Sequence, residues 1–157
     1  MSSTQLNAIP SPPEGQDLAR VPMKFEVTPI PVTDFDRAKA FYQRLGWRLD
    51  IDLQFTEQVR GVQFTPPGSP ASIQFGPAGA DRLERLLVIV DDIEAARTEL
   101  VDRGIEISEV FHALPGEAPE AGRDPQGRSY VSHAAFSDPD GNQWILQEVT
   151  ERVPGRV

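Results

Sequence analysis

The chain has 157 residues, of which 39% are hydrophobic and 25% are charged, a balance that is typical of one globular domain. A formal net charge of −9 without a run of Lys or Arg excludes an electrostatic footprint for nucleic acid, and the absence of Cys excludes disulfides, thiolate nucleophiles and Cys-bound zinc. No apolar run is long enough to span a membrane and the first residues do not resemble a signal peptide, so we expect a cytoplasmic protein with no membrane partner.

Two terminal segments flank one predicted domain. Residues 1–22 are rich in Pro, Ser, Gln and Asn and have no sustained periodicity, which predicts a flexible N-terminal tail. The domain is expected to cover residues 23–150, followed by a short C-terminal tail at residues 151–157.

The first structural unit, module one, is predicted at residues 24–76 with the order βαβββ. Pro29 and Pro31 interrupt its first strand, which suits an edge strand or a bulged strand better than a central one. Asp34 stands where a helix N-cap belongs, apolar residues follow at helical spacing and Gly46 supplies a stop, so the sequence predicts a helix of about ten residues. Three further strands are predicted at residues 47–53, 59–65 and 71–75.

The second unit, module two at residues 84–150, repeats the pattern of the first. Asp92 corresponds to Asp34, and in each copy this Asp precedes a helix-ending Gly by 12 residues. From that Gly to the matching Gln of the last strand, the first copy spans 28 residues and the second spans 43, so the second carries 15 extra residues. They fall in the Pro- and Gly-rich segment 111–128, which we expect to be an insertion loop that acts as a lid.

The densest local motif is Asp138-Pro139-Asp140-Gly141-Asn142. Pro fixes φ, Gly allows a positive φ, and Asp and Asn side chains bond to nearby backbone groups. A calcium-loop interpretation fails because the later acidic ligands of such a loop are absent. The motif therefore predicts a turn between two strands.

Together these motifs resemble the vicinal oxygen chelate superfamily, which includes glyoxalase I, bleomycin-resistance proteins, extradiol dioxygenases and fosfomycin-resistance enzymes. The resemblance rests on V-x-D before a short helix with Phe41-Tyr42 and Leu45-Gly46, and on the 138–142 turn before Trp144. It covers about residues 24–150. It implies an α+β fold in which two βαβββ modules form a curved mixed sheet around a central cavity, with helices on the outer face, and it implies a homodimer.

Metal-dependent proteins with this pattern carry one ligand on the first strand of each module and a Glu on the last strand. The matching positions in this sequence are Val27, Arg85 and Ile145. Val and Ile have no donor atoms, and the Arg guanidinium is a permanent cation that would repel the ion. The resemblance therefore leads us to expect neither a metal nor another cofactor.

A register shift would bring other donors to the cavity. Glu26, His133 and Glu148 form the fallback set for a divalent metal. Strand alternation argues against this set, because both Glu side chains would point to the face opposite the cavity. A lone His on a strand is more often a hydrogen-bonded structural residue than a catalytic one.

The cavity is expected to have a mixed lining of apolar and amide side chains. By strand alternation, Ser72 and Gln74 of module one face it together with Ile145 and Gln147 of module two. Trp47 either adds an aromatic wall or packs in the core, and the two Gln side chains either bind ligand or hydrogen-bond the strands together. The predicted ligand-binding residues are Val27, Trp47, Ser72, Gln74, Arg85, His133, Ile145 and Gln147.

The sequence has no nucleophile elbow, P-loop or dinucleotide fingerprint, so no catalytic residue is assigned and enzymatic activity stays open. We expect a homodimeric protein, similar to bleomycin-resistance proteins, that binds a small organic molecule without metal. The acidic balance is compatible with a cationic ligand. Two alternatives remain: a metal-dependent lyase, isomerase or dioxygenase with an atypical ligand set, and an interaction domain whose N-terminal tail contacts a partner protein.

Overall fold

The computed structural model describes residues 11–152 of the chain. The predicted tails at residues 1–22 and 151–157 therefore lie partly outside the described residues. Residues 11–26 form neither helix nor strand. Between residues 11 and 152, no helix is long and apolar enough to cross a membrane.

Module one folds into a four-stranded sheet with one helix. Its elements are β1 (Val27–Pro31), α1 (Phe35–Arg44), β2 (Arg48–Gln54), β3 (Arg60–Thr65) and β4 (Ser72–Gly76). The strand order is β1-β4-β3-β2, in which β1 runs parallel to β4 and the other pairs are antiparallel. The predicted βαβββ order and the edge position of the Pro-containing first strand are both confirmed.

Module two repeats this arrangement with one added strand. Its elements are β5 (Leu86–Val90), α2 (Ile93–Asp102), β6 (Phe111–His112), β7 (Glu120–Ala121), β8 (Ser132–Ser137) and β9 (Gln143–Glu148). The sheet order is β5-β9-β8-β6-β7, so β6 lies beside β8 as β2 lies beside β3. Segment 111–128 thus differs from the aperiodic loop that we predicted, since it supplies β6 and β7. Its backbone groups pair along the free edge of β8 instead of remaining without partners.

Both helices begin and end where the repeated Asp and Gly residues stand. The Oδ1 atoms of Asp34 and Asp92 each accept a hydrogen bond of 3.0 Å from the backbone N–H three residues later. Gly46 and Gly104, which follow the two helices, have φ values of 83° and 79°. These left-handed conformations favour glycine, so the sequence spacing encodes both ends of each helix.

One hydrophobic core joins the two modules through α1. Tyr42 of α1 is fully buried, and its ring centroid lies 5.8 Å from that of Phe75 on β4 and 6.4 Å from that of Trp144 on β9. Alternate residues of each sheet point into this core, and the intervening residues form an open face on the other side. The α+β fold with two βαβββ modules is confirmed, but within residues 11–152 no strand pairs the two sheets, which do not close around a cavity.

The 138–142 turn connects module two to module one. Oδ1 of Asp138 accepts hydrogen bonds from the backbone N–H groups of Asp140 and Asn142 at 3.0 and 2.9 Å. Its Oδ2 accepts from the Tyr42 hydroxyl at 2.7 Å, and Nδ2 of Asn142 donates to the Pro31 carbonyl at 3.0 Å. The predicted turn is confirmed, and its side chains also fix the position of one module against the other.

Candidate ligand-binding site

The open face of the module-two sheet brings together three of the residues that the sequence predicted for the site. His133 on β8 lies opposite Gln147 on β9, and Ala135 lies opposite Ile145. All four are partly exposed, whereas the residues between them in each strand are buried. We refer to this surface, which also includes Gln143, as the module-two face.

An aromatic stack borders the module-two face. Phe111 on β6 pairs with His133 on β8, and the two rings stack with centroids 5.5 Å apart and an interplanar angle of 27°. The sequence analysis did not assign Phe111 to the site, because a two-residue strand shows no periodicity of its own. Its position was decided by pairing with β8, and it adds an apolar surface beside His133.

His133 takes part in a short chain of hydrogen bonds. Its Nε2 lies 3.1 Å from Nε2 of Gln147, and the same amide nitrogen donates to the Tyr130 carbonyl at 3.1 Å. Because the amide nitrogen is the donor, this contact fits the neutral tautomer in which Nε2 of His133 accepts and Nδ1 carries the proton. Burial lowers the pKa of His133, the Val131 carbonyl opposes this effect and the charge of Arg85 adds to it. His133 is therefore a neutral hydrogen-bonding group at neutral pH.

Arg85 lies at the edge of the module-two face, just before β5. Its backbone adopts a φ of 61°, and its N–H donates to Oε1 of Gln143 at 3.3 Å. The residue is exposed, and within the part of the chain that the structure describes no carboxylate forms an ion pair with it. The guanidinium is thus available to a group from outside the chain.

The remaining predicted residues of module one lie on the open face of the other sheet. Val27 on β1 pairs with Ser72 on β4, and Gln74 on β4 pairs with Gln63 on β3. Val27 and Ser72 are partly exposed and Gln74 is exposed. We refer to this surface as the module-one face. Since the two sheets share one core on their opposite sides, a single chain does not bring the two faces into one central cavity.

Two surface cavities lie elsewhere in the molecule. One, of about 240 Å³, is contained within segment 111–128 and is lined by residues that include His112, Glu117, Glu120 and Arg128. The other, of about 80 Å³, lies beside Thr33 and Asp140. Gln74 and Gln147, which the sequence analysis placed together, line neither of them.

Trp47 lies in the core and not on either open face. It is 8% exposed, and its ring centroid is 4.9 Å from that of Trp144 and 5.3 Å from that of Tyr42. Trp47 precedes the first residue of β2, and at that position its side chain packs between the helix and the other module. This corrects its assignment as a ligand-binding wall and favours the core alternative.

The donor positions of the family do not fit a divalent metal in this chain. Val27 and Ile145 carry no donor atom and lie on different sheets, and Arg85 is a cation. No group of three or more His, Asp or Glu side chains among residues 11–152 is arranged to hold a metal ion. These positions therefore do not provide the family's ligand set, and the expected absence of a metal stays a prediction.

The fallback set of Glu26, His133 and Glu148 is not assembled either. Glu148 is 1% exposed and points into the core, whereas His133 points to the opposite face of the same sheet. Oε2 of Glu148 accepts a hydrogen bond from the Ile93 N–H at 2.9 Å, and Oε1 of Glu148 pairs with Arg123 at 2.8 Å. The carboxylate is thus bound at the start of α2, on the face opposite Ile145, where strand alternation predicted that the side chain points.

Comparison with known proteins identifies relatives over most of the chain. The family model described as Glyoxalase/Bleomycin resistance protein/Dioxygenase superfamily matches residues 24–146. A search of curated proteins gives no match. The crystal structure of TnmS3, an antibiotic binding protein from Streptomyces sp. CB03234, is 29% identical with a TM-score of 0.59, covering 83% of this chain and 99% of that one.

Two further solved structures are similar to a comparable degree. A glyoxalase/bleomycin resistance protein from Streptomyces sp. CB03234 is 28% identical with a TM-score of 0.57, covering 80% of this chain and 100% of that one. A member of the glyoxalase/bleomycin resistance protein/dioxygenase superfamily from Sphaerobacter thermophilus DSM 20745 is 28% identical with a TM-score of 0.59, covering 80% and 97%. The likeness therefore extends over nearly the full length of each neighbour.

Proposed function

We propose that this chain, which belongs to the Glyoxalase/Bleomycin resistance protein/Dioxygenase superfamily, binds a small organic molecule on its module-two face. The observation that carries the proposal is the grouping of Phe111, His133, Ile145 and Gln147 on one partly exposed surface. An apolar and aromatic lining with a few neutral hydrogen-bonding groups is typical of small-molecule sites. The likeness to the antibiotic binding protein TnmS3 supports an organic ligand.

The binding that we propose needs no metal. Val27 and Ile145 offer no donor atoms at the positions where metal-dependent relatives carry them. The carboxylate of Glu148 is held by Arg123 and by the Ile93 N–H. Nothing in this arrangement favours the alternative of a lyase, isomerase or dioxygenase.

We also propose that the protein is a homodimer, in which the module-one face of one copy covers the module-two face of the other. Four apolar side chains on β2 and the loop that follows it support this arrangement. They are Ile51, Leu53, Phe55 and Val59, with exposed fractions of 38%, 55%, 61% and 52%. An exposed apolar patch of this kind marks a protein interface, and a second copy would enclose the site that one chain leaves open. We retain the cytoplasm as the proposed location.

Titration with two probes tests the proposed binding. We would use bleomycin and the neutral planar aromatic anthracene-2-carboxamide, and follow Kd by calorimetry and backbone amide shifts by NMR. Saturable binding of either probe, with shifts centred on His133 and Gln147, supports the proposal. We expect Gln147→Leu to weaken binding about tenfold, while the matched variant Gln43→Leu, at an exposed residue of α1 outside both faces, leaves it unchanged.

Two outcomes contradict the proposal. The first is the absence of saturation with both probes, or an equal loss of affinity in the Gln147 and Gln43 variants. The second is stoichiometric Zn, Ni, Mn or Fe in protein purified without chelator, together with its loss in a His133→Ala variant, which would establish a metal site in place of the metal-free one.

A further inference from the structure

Two strained backbone positions border the module-two face. Arg85 and Tyr130 have φ values of 61° and 69°, and they are the non-glycine residues with positive φ between residues 11 and 152. Arg85 immediately precedes β5, and the Tyr130 carbonyl accepts the hydrogen bond from Gln147. Such conformations cost on the order of 1 to 3 kcal/mol each and are concentrated at functional sites. Both positions therefore favour a functional role for this face.

Arg85 differs from several other arginines in the described part of the chain because no carboxylate pairs with it. Arg60, Arg123 and Arg128 each form an ion pair of 2.9 Å or shorter with a carboxylate. Arg85 is exposed and has no such partner among residues 11–152, although the chain has a net charge of −9. An unpaired guanidinium in an acidic protein presents five donors to an anion from solution.

The backbone N–H of Arg85 places the residue beside the module-two face, where it donates to Oε1 of Gln143 on β9. Arg85 is the charged group that contributes to the lowered pKa of His133, after the larger effect of burial. Because His133 is neutral and stacks on Phe111, it does not neutralise an incoming anion or repel it. The module-two face therefore combines a flat aromatic surface with a positive charge at its edge.

We infer that Arg85 recognises an anionic group of the ligand, so that the ligand class is a planar aromatic molecule with a carboxylate or another ionised acidic group. Its ring lies against Phe111 and His133, and its anion pairs with Arg85. This inference rests on the proposed function. It differs from the cationic ligand with which the net charge of the chain is compatible, because the local charge of the face is opposite to that of the whole chain.

A pair of probes that differ only in charge tests the inference. Anthracene-2-carboxylate and anthracene-2-carboxamide would be titrated into the full chain by calorimetry. We expect the wild type to bind the carboxylate about tenfold tighter than the carboxamide, and this preference to shrink as salt rises. Arg85→Gln should abolish the preference by lowering the affinity for the carboxylate about tenfold, while the affinity for the carboxamide changes less than about twofold.

Arg82→Gln is the matched control, because Arg82 is also exposed and lies three residues earlier, beside Gly141. This variant should keep the preference. Three outcomes overturn the inference and leave the proposed function standing. The wild type could bind both probes equally, the preference could survive in Arg85→Gln, or it could disappear in Arg82→Gln. Failure of both anthracene probes to bind overturns the inference, and it overturns the proposed function as well if bleomycin also fails to bind. Circular dichroism of each variant confirms that the fold is retained.

Discussion

The Tyr42 hydroxyl donates a hydrogen bond to Oδ2 of Asp138 at 2.7 Å, which joins the first helix to a turn 96 residues further along the chain. Nε1 of Trp144 donates to the same hydroxyl at 3.1 Å, and Nδ2 of Asn142 donates to the same carboxylate oxygen at 2.8 Å. Burial, reinforced by the charge of Asp138, raises the pKa of Tyr42 far above its ordinary value, so the hydroxyl remains a donor. The buried Tyr42 hydroxyl therefore fixes the position of one module against the other.

Removal of this hydroxyl should destabilise the whole domain. Tyr42→Phe leaves the indole N–H of Trp144 without its acceptor and takes one donor from Asp138. We expect a loss of about 1 to 3 kcal/mol in the free energy of unfolding, measured by urea denaturation. A double-mutant cycle with Asp138→Asn should show a coupling energy above about 0.5 kcal/mol. Additive effects would show that the bond does not join the modules energetically.

Asp124 should make stability depend on acid pH. Hydrogen bonds from Arg128 hold the pKa of this buried carboxyl below its usual range. The resulting stabilisation is complete above the unfolded-state pKa, near 4, and is lost as pH falls from about 5 toward the lower folded-state pKa. Asp124→Asn should lower stability at pH 7 by about 2 to 3 kcal/mol and flatten this acid decline. Unfolding curves from pH 7 to pH 2 measure both effects.

Asp81→Asn serves as the control for that series, because Asp81 is exposed and forms no ion pair with another residue between 11 and 152. It should leave both the stability at pH 7 and the slope unchanged. An acid decline that is as steep in Asp124→Asn as in the wild type would contradict the assignment.

Glu148 should contribute to stability and not to ligand binding. Glu148→Gln removes the ion pair with Arg123 and weakens the acceptor at the start of α2. We expect a loss of about 1 to 3 kcal/mol in the free energy of unfolding, with less than about a twofold change in affinity for anthracene-2-carboxylate. The exposed Glu151 provides the control variant Glu151→Gln. Loss of binding without loss of stability would indicate a role at the site.

Phe111 should contribute to the ligand surface. Phe111→Ala removes the ring that stacks on His133 at 5.5 Å, and with it the apolar area against which a planar ligand would lie. We expect the Kd for anthracene-2-carboxylate to rise about tenfold in calorimetry. Phe25→Ala, at a residue that is 71% exposed and precedes β1, should bind as the wild type does. Unchanged affinity in the Phe111 variant would place the ligand elsewhere.

The exposed apolar patch on module one should control assembly. Leu53→Lys introduces a charge at a side chain that is 55% exposed, beside Phe55 on the same hairpin. We expect sedimentation to show a dimer for the wild type and a monomer for this variant. Val101→Lys alters a side chain that is 46% exposed on α2, outside the patch, and should remain dimeric. A monomeric wild type would exclude the proposed arrangement.

The repeated Asp and Gly residues show what the sequence determined by itself. The duplication, both helices, the edge position of β1 and the turn at residues 138–142 follow from hydrogen bonds and backbone conformations within a few residues. Period-two alternation also placed Ile145 and Gln147 on one face and Glu148 on the other. These features are encoded locally, so they can be read without the partners that pack against them.

Only the tertiary structure decided which distant groups meet. Trp47 became a core residue because Trp144 of the other module packs against it, and Phe111 joined the site because its two-residue strand pairs with β8. Glu148 became an ion-pair residue because segment 111–128 brings Arg123 to it. The two sheets remained separate because α1 packs into a core that both of them share. Close packing selects such contacts over the whole chain, and no local pattern records them.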